Sequence, residues 1–165
     1  MNLQTHVLTG ILIQICCFRI FVFPLNIIFT ILFAFLSHFI IDAFVLITYH
    51  TPEPQKGDIF WLSWQIITYG SGAFLIILFF PYTLGILFAN LIDIIDWLIL
   101  REFYRIKFKN EERDWNKNYF FHNIIAKIRK YTLFWLPNWN YEKKAVISEI
   151  LINVFLIIGL IYLLV

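Results

Sequence analysis

Phe35-Leu-Ser-His38-Phe-Ile-Ile-Asp42-Ala-Phe44 lies in the middle of an apolar run that begins at Leu25, and it carries two ionisable side chains. Residues four apart share one face of a helix, so the His38 imidazole and the Asp42 carboxylate point the same way. Ionisable groups deep in an apolar span are costly, and they are retained where they have a partner or a task. The chain offers His6, His50, Asp93, Asp96 and His122 as candidate partners.

The composition around this stretch decides the class. Of 165 residues, 61 % are hydrophobic and 20 % aromatic, and the mean hydropathy is +0.76. A soluble domain of this size cannot hide so much apolar surface. The expectation is an all-α integral membrane protein, a single domain over residues 1–165 built as a bundle of about five spans. The net charge of +2 by itself names no partner. Membrane lipid is the expected surrounding, nucleic acid is not expected, and an oligomer or a partner subunit stays open. Cys16 and Cys17 are adjacent in an apolar segment, where neighbours are poorly placed to bridge each other. The first residues lack Lys or Arg and no small-residue cleavage site follows, so the N-terminal apolar stretch reads as a retained span.

Working outward, the spans fall at about residues 5–23, 25–49, 59–80, 82–100 and 145–165. Pro24 stops the first, and Tyr49-His-Thr-Pro-Glu-Pro54 ends the second. Gly10 lies one turn beyond His6 on its face, and Gly70-Ser-Gly72 is a small-residue patch suited to a crossing helix. Residues 101–144 hold 11 of the 13 basic residues, from Arg101 to Lys144. The positive-inside rule puts that segment and the N-terminus in the cytoplasm, with a cytoplasmic membrane of prokaryotic type as the location. Within it, Tyr119–Leu136 is amphipathic. Phe121, Ile124, Ile125 and Ile128 make one face and Asn123, Lys127 and Lys130 the other, predicting a helix in the headgroup layer.

At about 1.5 Å per residue, Asp96 lies roughly 7 Å below Arg101 and Asp93 roughly 12 Å, while Asp42 lies about 10 Å below Tyr49. His6 tops another span from the same side. Histidine nitrogen and carboxylate oxygen are ligands that zinc and manganese take in hydrolytic sites. The expected ligands are His6, His38, Asp42 and Asp93, with Asp96, nearest the loop, as general base and Asp93 as the alternative. His122, on the border between the two faces of its helix, and His50, beside prolines, are additional candidates. The bland readings remain beside these. In them Asp93 and Asp96 form a buried salt-bridge network with Arg101 or Arg105, and His38–Asp42 is a hydrogen-bonded helix clamp.

These residues resemble a family. Thr5-His6 opening the first span, Ser37-His38-x3-Asp42 followed by Thr51-Pro52, and Asp93-x-x-Asp96 are similar to motifs of the membrane-bound metal-dependent hydrolases that include LexA-regulated inner-membrane proteins. The match covers the first 100 residues or so, and the family's histidine-arginine-glycine motif is absent. The resemblance implies a divalent metal held by His6, His38 and Asp42. The expected function is hydrolysis of a lipid or lipid-linked ester or phosphoester at the cytoplasmic face. The alternatives are a non-catalytic membrane subunit with a buried polar network and an ion path. The almost wholly apolar outer halves of the spans count against the path.

The concentration of basic residues generates a topology prediction. Single cysteines placed at Asn110 or Asn118 are expected to resist an impermeant thiol reagent in intact cells and to react after permeabilisation. Labelling of intact cells would reverse the orientation.

Overall fold

The computed structural model describes residues 2–51, 55, 57–107 and 119–165. Among these residues all regular structure is helical. Helix α1 runs Leu3–Ile20, α2 Leu25–Ala43 and α3 Ile59–Leu78. A 3-10 turn leads into α4, Thr83–Ala89, and α5 follows as Leu91–Lys107. Helix α6 is Phe121–Thr132 and α7 is Val146–Leu164. Four of the described helices are long and apolar enough to cross a membrane, or five if the bent pair α4–α5 counts as one span. Pro52, Pro54 and the loop residues Lys109, Asn110, Arg113, Lys117 and Asn118 lie outside the described residues.

Helix α1 is the hub, packing against α2, α3, α4 and α7. Of its span 50 % is buried, against 17 % for α3 and for the last span. The reason is in its sequence. Val7, Leu8, Ile11 and Ile15 join Ile86 and Leu160 in one apolar cluster, and small or hydrogen-bonding residues occupy the other faces. Gly10 meets Gly85 of α4 so closely that a Cβ on either would run into the carbonyl of the other. Gln14 seals this crossing by accepting from the Gly85 amide at 2.7 Å and donating to the Pro81 carbonyl at 3.3 Å. Thr5 donates to Asn153 of α7 at 3.2 Å, and Ser71 of α3 bonds to Gln4. Without water inside a bilayer, contacts of this kind, about 0.6 kcal/mol each, together with close small-residue packing, supply much of helix association. The small-residue patch divides accordingly: Gly72 faces Leu3 and Gln4, whereas Gly70 faces nothing.

Two departures from the expected spans shape the site. Helix α2 stops at Ala43 and tightens into a 3-10 turn, Phe44–Ile47, instead of running to Tyr49. Here the Asp42 carbonyl accepts from Arg129 at 2.8 Å. The span over residues 82–100 is broken at Asn90, with a 59° bend between its halves. Asn90 turns its side-chain amide back onto the Ile86 carbonyl at 2.8 Å, a local bond that competes with the helical ladder. Beyond the break, Ile94–Leu100 is wound as a π-helix, a form that recurs at functional sites.

Helix α6 lies against α2. Ile125 is its buried residue, Phe121 packs edge-on to Phe35 and Phe39, and Ile124 and Ile128 stay partly exposed. Asp58 caps α3 through the Phe60 and Trp61 amides and pairs with Lys143 at 2.9 Å, tying the starts of α3 and α7 together.

The Gly10–Gly85 crossing gives a stability prediction. Gly10→Ala is expected to destabilise the protein by about 1–3 kcal/mol through overpacking. Gly70→Ala, whose new methyl meets nothing, should stay within about 0.5 kcal/mol of wild type. Unfolding in detergent compares the two.

Candidate metal centre

Four of the singled-out residues converge. One ligand atom each from His38, Asp42, Asp93 and His122 lies within 4.8 Å of the other three. The edges alternate nitrogen and oxygen. His38 Nε2 is 3.3 Å from Asp42 Oδ2 and 3.6 Å from Asp93 Oδ1. His122 Nε2 is 3.5 Å from Asp42 Oδ2 and 3.3 Å from Asp93 Oδ1. Ligand bonds of about 2.0–2.2 Å arranged tetrahedrally give edges of roughly 3.3–3.6 Å. The four edges match a cation-sized gap.

Local structure aims each group. The break at Asn90 leaves the Ala89 carbonyl to accept from His38 Nδ1 at 2.7 Å. With Nδ1 engaged there, His38 turns its Nε2 toward the cluster, and this buried nitrogen has no hydrogen-bond partner among the described residues. His122 is set the same way by another residue. Its Nδ1 donates to Asp96 Oδ2 at 2.8 Å, and its main-chain amide reaches the same oxygen at 2.9 Å. Asp96 Oδ1 takes the Phe120 amide at 3.2 Å. Carboxylate behind histidine, with the far nitrogen facing a ligand site, is the arrangement that orients metal-binding imidazoles.

His6 stands behind Asp42. Its Nε2 is 3.1 Å from Asp42 Oδ1, and its ring stacks on His38 with centroids 4.1 Å apart. Oδ1 is thereby held by α1, and Oδ2 is presented to His38 and His122. In the geometry observed, His6 positions a ligand and His122 joins the donor set in its place. Asp96 accepts from the Phe120 and His122 amides and from His122 Nδ1 and is wholly buried, so it positions His122 and does not face open space. Asp93 is the more open carboxylate, its side chain 33 % exposed. Half-buried His50 lies within electrostatic reach of Asp42, Asp93 and His122, and burial, the largest influence on it, pulls its pKa down to about 4. It is neutral at pH 7.

The expected pairing with arginine is not found among the described residues. Arg101 lies over the Trp97 ring and Arg105 pairs with Glu102 at 2.7 Å. One residue that touches the site escaped the sequence reading: Arg129, whose only signal was its place seven residues beyond His122, on the same face of α6. Comparison with protein-family models, with curated proteins and with solved structures finds no match to this chain. The fold and the site define a helical protein, with spans apolar enough for a membrane, that carries a His/Asp group able to hold a metal ion.

Burial opposes a charged His122, but hydrogen bonds to Asp42, Asp93 and Asp96 outweigh it and push its pKa up to about 10. A folded pKa above the ordinary 6.5 means that the imidazolium's contribution to stability is complete below about 6.5 and is lost as pH climbs through about 10. Chelator-treated protein is therefore expected to unfold at lower temperature as pH rises from 7 to 10. In His122→Gln that slope should flatten. An unchanged slope in the variant would remove His122 as its source.

Proposed function

We propose that the chain is a membrane-embedded, metal-dependent hydrolase acting on an ester or phosphoester of a lipid or lipid-linked substrate at the cytoplasmic face. The observation that carries this reading is the convergence of His38, Asp42, Asp93 and His122, with the second nitrogen of each histidine already held by a carbonyl or a carboxylate. The resemblance of His6, Ser37-His38 and Asp42 to the membrane-bound hydrolases supports it as well. A divalent cation, zinc or manganese, supplies Lewis acidity and an acidified water to such a donor set.

The protein's own part follows from exposure. His38 and Asp42 form the buried side of the cluster, while Asp93 and His122 form the side nearer solvent, with side chains 33 % and 22 % exposed. A substrate therefore approaches past Asp93. With a cation held by His38, Asp42 and His122, the Asp93 carboxylate would accept the proton from the attacking water and return it to the leaving oxygen. His6 holds Asp42 and Asp96 holds His122, so neither ligand needs to reorganise during the reaction. The basic residues of 101–144 attract anionic headgroups to this face.

Purified protein is expected to contain zinc or manganese near one equivalent and to lose it in His38→Ala. Asp96→Asn should weaken metal affinity by about 10–100-fold, as loss of a positioning carboxylate does. Asp93→Asn should lower hydrolysis of a lipid ester or phosphoester by about 10²–10⁴-fold, more than it lowers metal content. The rival is a non-catalytic subunit whose His6, Asp42 and His38 only clamp helices, a reading favoured by the His6–Asp42 hydrogen bond at 3.1 Å and the His6–His38 ring stack. A stable, metal-free protein indifferent to chelators would put that rival first.

A further inference from the structure

Arg129 and the surface beside it take no part in the chemistry above. Arg129 lies two turns beyond His122 on α6, about 10.5 Å along the axis. One guanidinium nitrogen, Nη2, is fixed on the main-chain carbonyl of Asp42 at 2.8 Å. Its Nε is buried and has no hydrogen-bond partner among the described residues. A guanidinium carries five donors in a planar fork, and a buried donor left unmet is costly. The fork matches phosphate or carboxylate oxygens and has no counterpart in an uncharged ester.

An apolar groove lies between α2 and α6, with Ile128, the chain neighbour of Arg129, in its lining. Phe39, Ile40, Ala43 and Phe44 line one wall and Ile128 and Thr132 the other, around a volume of about 260 Å³. Ala43 and Ile128 are the chain neighbours of Asp42 and Arg129, whose 2.8 Å bond joins α2 and α6 beside the groove. At about 30 Å³ for a water-sized group, the groove takes roughly eight or nine such groups, the volume of a segment of one acyl chain. A soluble phosphoester would leave it unfilled.

We propose that Arg129 and this groove select the substrate of the hydrolase site as a phosphate-bearing membrane lipid, its headgroup between the cluster and Arg129 and one acyl chain between α2 and α6. This rests on the hydrolase reading and narrows its ester-or-phosphoester choice to an anionic phosphate. Charge complementarity at the headgroup end and the apolar wall at the chain end both favour that occupant over a neutral lipid or a free phosphate.

The test uses the full chain in detergent, with and without added zinc, and measures binding of fluorescent phosphatidic acid and of diacylglycerol with the same acyl chains. Wild type is expected to prefer phosphatidic acid by about 10–100-fold, the range for a charged hydrogen bond. Arg129→Gln should erase most of that preference and leave diacylglycerol binding and metal content unchanged. Arg129→Lys, which keeps the charge, should retain part of it and serves if the Gln variant fails to fold. Ile40→Trp, filling the groove from an exposed position, should weaken both lipids alike. Three results would overturn the proposal: equal affinity for the two lipids, equal loss of both in Arg129→Gln with a lower unfolding temperature, and displacement of the lipid by inorganic phosphate at matching concentration. Failure to retain zinc sinks the hydrolase reading alone, because the Arg129-dependent preference is read without zinc as well.

Discussion

Asp42 is the one carboxylate on α2, a helix dominated by Phe, Leu and Ile, and the structure around it is organised by the need to compensate that group. Removing a carboxylate from water costs several kcal/mol even after relaxation. Three imidazoles converge on it: His6 from α1, His38 from its own helix and His122 from α6. Arg129 takes its main-chain carbonyl as well. One buried oxygen pair thus ties the central helix, the second span and the amphipathic helix to a common point. Moving α1 or α6 away from α2 removes one of these contacts from the buried carboxylate.

That constraint explains why α1 is the least apolar face-for-face of the spans and yet the most buried. A helix that must deliver His6 to Asp42 has to enter the bundle centre, and it does so behind Gly10, Gln14 and Thr5, which allow close approach and satisfy neighbouring polar groups. The break at Asn90 belongs to the same logic. A straight fourth span would keep its Ala89 carbonyl within the helical ladder, whereas the bent one offers it to His38 and turns Asp93 and Asp96 toward the cluster.

Much of this was legible beforehand. The helical class, the places of the spans and the common face of His38 and Asp42 follow from hydropathy and from a 3.6-residue period, which are local properties. Gly10 was readable as a close-approach site, although nothing in the chain nominated Gly85 as what it meets. The break at Asn90 was hidden because asparagine is a weak breaker whose effect depends on whether its amide finds a carbonyl one turn back. His6 and His122 could both be proposed as ligands. Which of them faces the cluster depends on which oxygen of Asp42 each one reaches.

The sequence by itself determined the material of the site and its depth: histidines and aspartates on apolar helices, at compatible distances from one side. Periodicity and the cost of buried charge suffice for that. Only the tertiary structure decided the division of labour. His6 stands behind Asp42, His122 joins the group that could hold a metal ion, Asp96 bonds to the far side of His122, and Arg129 bonds to the Asp42 carbonyl. The reason is physical. A carboxylate or an imidazole has two inequivalent ends, and which end meets which partner is set by crossing angles and helix breaks between segments up to 87 residues apart in the chain.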